Sequence, residues 1–334
     1  MQHWRWLVGI ALAILVAAGV SSPLFAQAKP EKITIAYQII PNGEIIAKAL
    51  GMHEKALGVE IEWRQFDSGR DVNTAMASGS VDIGLTGSSP AAIGISSGIP
   101  YEVIWLYDVI GDNEALVVRK GKGVEKVADL AGKKVAAPFG STTHYHLLVA
   151  FKEFGLDPKK ATVLDMQPPD MLAAWTRGDI DAGFVWEPTL IRMLESGGEV
   201  LVSSRALAEK GYLTADVAVV RKDFARKYPE VVATYVKTLS DAVKLFREKP
   251  QEAARAVAKE FGIPEAEALR QMKTMTFLTA EEHVTPEYLG GGVARALKDA
   301  ADFLVSQRTI RSAPDLATFQ KAVVSRYAEM AVDR

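Results

Sequence analysis

The sequence predicts an α/β fold of two related lobes with a ligand cleft between them. Three observations carry this reading. Short apolar runs alternate with helical stretches along the chain, the pattern of βαβ units. One helix–Gly–strand–Pro unit occurs twice. Beyond the N-terminal segment, no apolar run is long enough to span a bilayer. The first copy of the repeated unit, Ala75-Met76-Ala77-Ser78-Gly79-Ser80-Val81-Asp82-Ile83-Gly84, leads into Gly87-Ser88-Ser89-Pro90. The second, Ala174-Trp175-Thr176-Arg177-Gly178-Asp179-Ile180-Asp181-Ala182-Gly183, starts 99 residues later and leads into Trp186-Glu187-Pro188. At nearly the same offset, the strand before Tyr37-Gln38 matches Lys134–Ala137 before Phe139-Gly140-Ser141. Two pairs at nearly the same offset indicate duplicated lobes. Open α/β sheets bind ligands at the carboxyl ends of their strands, so four loops of two facing lobes would wall a cleft.

The elements follow in order. Ile33, Ile35 and Tyr37 alternate with Thr34 and Ala36 in a first strand. Val59, Ile61 and Trp63 oppose Glu60, Glu62 and Arg64, a half-exposed edge strand. A helix through Val72–Ser78 stops at Gly79, and Gly98, Gly155, Gly178 and Gly197 end later helices in the same way. Val81–Leu85 is a strand. Beyond about Asp223 the chain turns helical, with Pro229, Pro250 and Pro264 near helix starts.

A length of 334 residues with 49% hydrophobic content fits two domains. A net charge of −2 with no Lys/Arg stripe excludes nucleic acid as a partner. Residues 1–28 read as a cleavable signal peptide: Arg5 gives the positive start, Leu7–Val20 the apolar stretch, and Ala26-Gln27-Ala28 the cleavage pattern. That stretch is too short to span a bilayer comfortably, so the mature chain is expected to have no membrane insertion. The absence of cysteine removes disulfides and a lipid-anchored N-terminus, and a freely diffusing binder is useful only in an enclosed compartment, the periplasm.

Two loops suit an anion. Pro90 fits the first helical position, which makes Ser89 the N-cap and leaves Gly87, Ser88 and Ser89 at the mouth of the cleft. Gly140-Ser141-Thr142-Thr143-His144-Tyr145 opens a helix on the opposite lobe. Hydroxyls, free amides and helix-dipole ends then face a tetrahedral oxyanion such as a sulfonate, and neither loop carries Lys or Arg. No phosphate-binding G-x-x-x-x-G-K-[ST] occurs. Gly94-Ile95-Ser96-Ser97-Gly98 matches a nucleophile elbow in letters, but a helix precedes it, so it reads as a helix end. His144 and His146 point to different helix faces and lack metal-ligand company, so no metal or cofactor is expected.

At these loops the chain resembles the nitrate, sulfonate and taurine solute-binding family of ABC importers. The segments that carry the resemblance are Phe66-Asp67-Ser68-Gly69, Gly87-Ser88-Ser89-Pro90, Glu114-Ala115-Leu116-Val117-Val118, Ser141-Thr142-Thr143-His144-Tyr145, Gln167-Pro168-Pro169 and Ala173-Ala174-Trp175. It covers essentially the whole mature chain. The resemblance implies a periplasmic binding protein type II-like fold whose two α/β lobes are joined by two crossover strands, Glu114–Val118 and Asp216–Val220. The lobes would be 29–114 plus 219–334, and 115–218. It further implies a monomer that delivers a small sulfonate, taurine foremost, to a permease and ATPase complex, with Gln38, Ser88, Ser89, Thr142, Thr143, Trp186 and Asp216 touching the ligand. Glu187 places an acid beside the cleft where taurine binders of the family have a small residue, although related members often read Trp-Glu-Pro.

A ligand ammonium needs a carboxylate or an aromatic face. Asp216, followed at once by apolar strand residues, is the candidate, with Trp186 and Tyr37 as possible ring faces. An enzyme of the same fold, such as a thiamine-pyrimidine synthase, is disfavoured because that chemistry is associated with iron and a cysteine-rich motif.

Overall fold

A computed structural model describes residues 29–333. The predicted signal peptide lies outside the described residues. The chain first lays down β1 (Lys32–Tyr37), α1 (Gly43–Ala49), α2 (Met52–Leu57), β2 (Glu60–Gln65), α3 (Gly69–Ser78), β3 (Ile83–Gly87), α4 (Ser88–Ser96) and β4 (Tyr101–Val109). It then crosses to β5 (Glu114–Arg119), β6 (Lys134–Ala137), α5 (Thr142–Glu153), β7 (Thr162–Asp165), α6 (Pro168–Arg177), β8 (Ala182–Trp186), α7 (Thr189–Glu195), β9 (Gly198–Ser203) and α8 (Ser204–Ala208). It returns through β10 (Ala215–Arg221) to a helical segment that includes α9 (Lys222–Lys227), α10 (Pro229–Glu248), α11 (Pro250–Phe261) and α12 (Glu265–Met272).

Two five-stranded sheets result, ordered β2-β1-β3-β10-β4 and β7-β6-β8-β5-β9. The orders correspond strand for strand, which is the duplication read from the repeated unit. β1 is parallel to β2 and β3, and β6 is parallel to β7 and β8. The fourth strand of each sheet, β10 or β5, runs antiparallel to both neighbours and is the strand that enters directly after a crossover. The central strands read as apolar runs because helices cover both faces; Ile33, Ile35, Ile83 and Leu85 are fully buried. β2 is a half-exposed edge, as its alternation predicts.

The crossings need a correction. Glu114–Val118 and Asp216–Val220 are not the connections themselves but complete strands, one in each sheet. The chain passes between sheets at 110–113 and again at Leu213–Thr214, since the Tyr212 carbonyl still bonds His146 on α5 while Ala215 opens β10. The second lobe therefore ends near residue 212 rather than 218. Hydrogen-bonding demand explains the shift: an apolar run such as Val217–Val220 needs partners on both sides, and β3 and β4 supply them.

Candidate functional site

A small cavity lies between the lobes. The carboxyl ends of β1, β3 and β8 deliver Gln38, Gly87 and Trp186 to it, and the turn after β6 delivers Ser141 and Thr142. Three helices begin at its wall rather than the two expected. Gly69 opens α3, Gly87 caps α4, and Ser141 caps α5 by accepting from the His144 N–H at 3.1 Å. Their first turns bring backbone donors without intrahelical partners to one place.

Two glycines make that convergence possible. A Cβ on Gly69 would lie 2.3 Å from Thr86 Oγ1. A Cβ on Gly87 would lie 2.7 Å from Thr142 Cγ2 on the opposite lobe. The lobes are shut on one another here, and contacts at the rim agree. Arg70 pairs with Asp165 at 2.7 Å, and Gln167 Nε2 donates to Ser68 Oγ at 3.1 Å.

The electrostatics of the cavity are one-sided. Asp216 and Glu114 line it, while Asp108, fully buried, stands directly opposite Asp216 across the β10–β4 pairing. Like charges in register across strands are destabilising. Asn42 Nδ2 reaches Asp108 Oδ2 at 3.4 Å, and Asp108 Oδ1 has no partner. No Lys or Arg lines the cavity among the described residues. Burial pushes the Asp216 carboxyl up to about 7. Burial, then the charge of Asp216, push Glu114 up to about 8 and hold Asp108 well above the carboxylate range. Acids kept this close without a cation lack a positive partner.

The sign of this strain gives a testable consequence. A carboxyl raised in the folded state keeps its proton where the unfolded chain has lost it, so it contributes stability at low pH that is lost as pH rises through the folded value. Glu114 and Asp216 therefore lower stability as pH climbs toward 8 and 7. His144, His146 and His283, lowered by burial to about 4, act oppositely between that value and their ordinary 6.5. Above about pH 6.5 only the acids among these groups still titrate, and the melting temperature of the ligand-free protein should fall from there to about pH 8. A flat or rising thermal-unfolding profile over that interval would mean that the acids are ionised throughout.

The structure sorts the expected site residues. Gln38, Gly87, Ser141, Thr142, Trp186 and Asp216 meet at the cavity. Gln38 Nε2 donates to the Leu85 carbonyl at 3.1 Å, which fixes its amide. The other five are placed differently. α4 starts two residues earlier than expected, with Gly87 rather than Ser89 as N-cap, because Gly87 is held in register with Asp216. Ser88 then turns its hydroxyl to accept from the Ala215 N–H at 3.2 Å and lines a separate cavity beside Leu213. Thr143 lies a helix step of about 100° around α5 from Thr142 and spends its hydroxyl on Ser141 Oγ at 2.8 Å. His144 stacks on Phe139, ring centroids 4.5 Å apart, in a groove outside the cavity. Glu187 folds back to accept from the Ile191 N–H at 3.1 Å and pairs with Arg270 of α12 at 3.3 Å. Its carboxylate is spent on the first turn of α7 and on Arg270 and does not line the cavity. Ser89 is buried, its hydroxyl without a partner.

Sequence reading missed Gly69, Glu114 and Asp108 as site residues. Asp108 carried a usable signal, an acid inside the apolar strand Val103-Ile104-Trp105-Leu106-Tyr107-Asp108-Val109, the same signal that marked Asp216.

Comparisons with known proteins fit this geometry. The family model described as the substrate binding domain of ABC-type glycine betaine transport systems matches residues 31–273. The taurine-binding periplasmic protein of Escherichia coli (strain K12) is 39% identical over 310 residues, covering 91% of this chain and 94% of that protein. A putative aliphatic sulfonates-binding protein of the same organism is 29% identical, covering 78% of this chain and 81% of that protein. Among solved structures, the periplasmic aliphatic sulphonate binding protein SsuA from Escherichia coli superposes with a TM-score of 0.70 at 26% identity, over 87% of this chain and 92% of that one.

Proposed function

We propose a ligand for a chain that belongs to the substrate-binding domain family of ABC-type transport systems, and that is therefore a solute-binding component of an importer and not an enzyme: it captures taurine, and does so in the periplasm as a monomer. The observation that carries this reading is the cavity itself. It joins hydroxyls and three helix starts, which suit a sulfonate, to a carboxylate that lacks a counter-cation, which suits an ammonium. One small cavity then takes both ends of a short zwitterion. The relative at 39% identity is named for taurine, which supports the same ligand.

The family description suggests glycine betaine, whose quaternary ammonium has no N–H. Recognition of such a group uses aromatic cages, and only Trp186 presents a ring here among the described residues lining the cavity. The acids favour a primary ammonium that donates hydrogen bonds.

A thermal-shift panel of taurine, ethanesulfonate, nitrate and glycine betaine tests the reading. Taurine should stabilise most, since a ligand that binds only the native state raises its melting temperature more the tighter it binds, as the logarithm of affinity. A larger shift with glycine betaine would overturn it. Glu187→Ala serves as a control: the paired helix cap predicts unchanged taurine affinity with a stability loss of about 1 kcal/mol. A taurine affinity loss above about tenfold would return Glu187 to the site.

A further inference from the structure

The proposed ligand leaves one side chain in need of an account. Glu114 stands beside Thr142, where the ligand's anion would be received, and an ionised acid there would repel it. Its hydrogen bonds show how the conflict is resolved. Oε1 accepts from Thr142 Oγ1 at 2.6 Å. Oε2 lies 3.3 Å from Ser204 Oγ, which lies 2.7 Å from His146 Nδ1, and His146 Nε2 lies 2.8 Å from the Tyr212 carbonyl.

The hydrogens along this chain can be counted. A carbonyl only accepts, so His146 carries a hydrogen on Nε2. A second hydrogen on Nδ1 would make the ring an imidazolium, which its complete burial opposes, holding its pKa down to about 4. Nδ1 is therefore an acceptor, and the single hydrogen of Ser204 goes to it along the shorter contact. Ser204 then has none left for Glu114. A proton on Glu114 Oε2 then supplies the donor for the longer 3.3 Å contact with Ser204 Oγ.

We propose, on the basis of the taurine reading, that Glu114 works as a neutral carboxylic acid, with its proton on Oε2 held by the Ser204–His146–Tyr212 chain, and that this neutral state makes it a specificity-determining residue for the sulfonate. Neutral, it fixes the Thr142 hydroxyl without placing a charge against the anion. Its surroundings agree. Around it stand the carboxylates of Asp216 on β10 and Asp108 on β4, and the imidazole of His146 on α5. Ser204 of α8 and Trp186 of β8 bring no charge. Burial and Asp216 raise Glu114 to about 8, so the acid holds its proton at neutral pH.

The first test needs no ligand. Infrared difference spectra of the ligand-free protein against Glu114→Gln, at about pH 6.5, should show the carbonyl stretch of a protonated acid, fading as pH rises past about 8. No such band would overturn the proposal. Ser204→Ala, which removes the acceptor of that proton, should move the fading to lower pH; an unmoved midpoint would overturn the role of the chain. The second test is calorimetric. Gln keeps the neutral acid's hydrogen bonds at every pH, accepting from Thr142 and donating to Ser204, so taurine affinity of wild type should fall relative to that of Glu114→Gln as pH rises past about 8, and an unchanged ratio would overturn the proposal. A loss beyond about tenfold in a variant that still melts cooperatively would mean the site needs the charge. If the infrared band is present and wild type binds no taurine, the ligand reading fails and the protonated acid stands.

Discussion

Asp216→Ala is expected to weaken taurine binding by roughly two to three and a half decades. On the proposed reading the ammonium and Asp216 are desolvated together in the closed cavity. Removing one partner leaves the other buried and unpaired, at a cost of about 3–5 kcal/mol, or about 1.4 kcal/mol per decade. Ethanesulfonate has no cation to strand, so its affinity should change far less. It should even improve, because the variant relieves Asp108 and Glu114 of a neighbouring negative charge. Titration calorimetry of both ligands against both proteins reads the difference. Equal losses would make Asp216 a structural acid of the β10–β4 pairing and remove the ammonium from this end of the cavity.

Gly87→Ala is expected to cost taurine roughly one to two decades by a different route. The added methyl meets Thr142 Cγ2 at 2.7 Å across the lobe boundary, well inside contact distance. Overpacking of this kind costs about 1–3 kcal/mol, and on the proposed reading it falls on the closed lobes that would hold the ligand. A ligand shifts the open–closed balance only by its differential affinity, so a penalty on closure passes straight into the apparent affinity. Thr142→Ser removes the opposing methyl while keeping the hydroxyl that Glu114 accepts from. The double variant should therefore recover most of the loss, and small-angle scattering with saturating taurine should show it as compact as wild type. If Thr142→Ser fails to rescue, the damage lies in the turn at Gly87 and not between the lobes.

The two variants probe parts of the molecule that were unequally legible in the sequence. The duplicated lobes were readable because a repeated helix–Gly–strand unit fixes local geometry: Gly79 and Gly178, both at positive φ, end α3 and α6 before their matching strands. Trp186 ends the strand that the second unit creates, whereas Gln38 and Thr142 were implied as ligand contacts by the family resemblance. What stayed hidden depends on contacts distant in sequence. Ser88 faces away because Ala215, 127 residues on, claims its hydroxyl. Glu187 is satisfied by Arg270, 83 residues away. Which strand of an antiparallel pair stands opposite Asp216 decides that Asp108 belongs with it, and that register comes only from the folded sheet. The crossover boundary moved for the same reason: the run around Val217 reads equally as a connection or a strand until its partners β3 and β4 are known.

The central claim is that one cavity holds a sulfonate on helix starts and an ammonium on an acid. The crystal structure of the protein grown with taurine tests it most directly. The account predicts lobes closed on a single taurine in the cavity of Gln38, Thr142, Trp186 and Asp216, its sulfonate oxygens on the first turns of α4 and α5, and its nitrogen within hydrogen-bonding distance of Asp216. A taurine whose sulfonate is met by Arg or Lys elsewhere, or whose nitrogen lies away from every carboxylate, would contradict it.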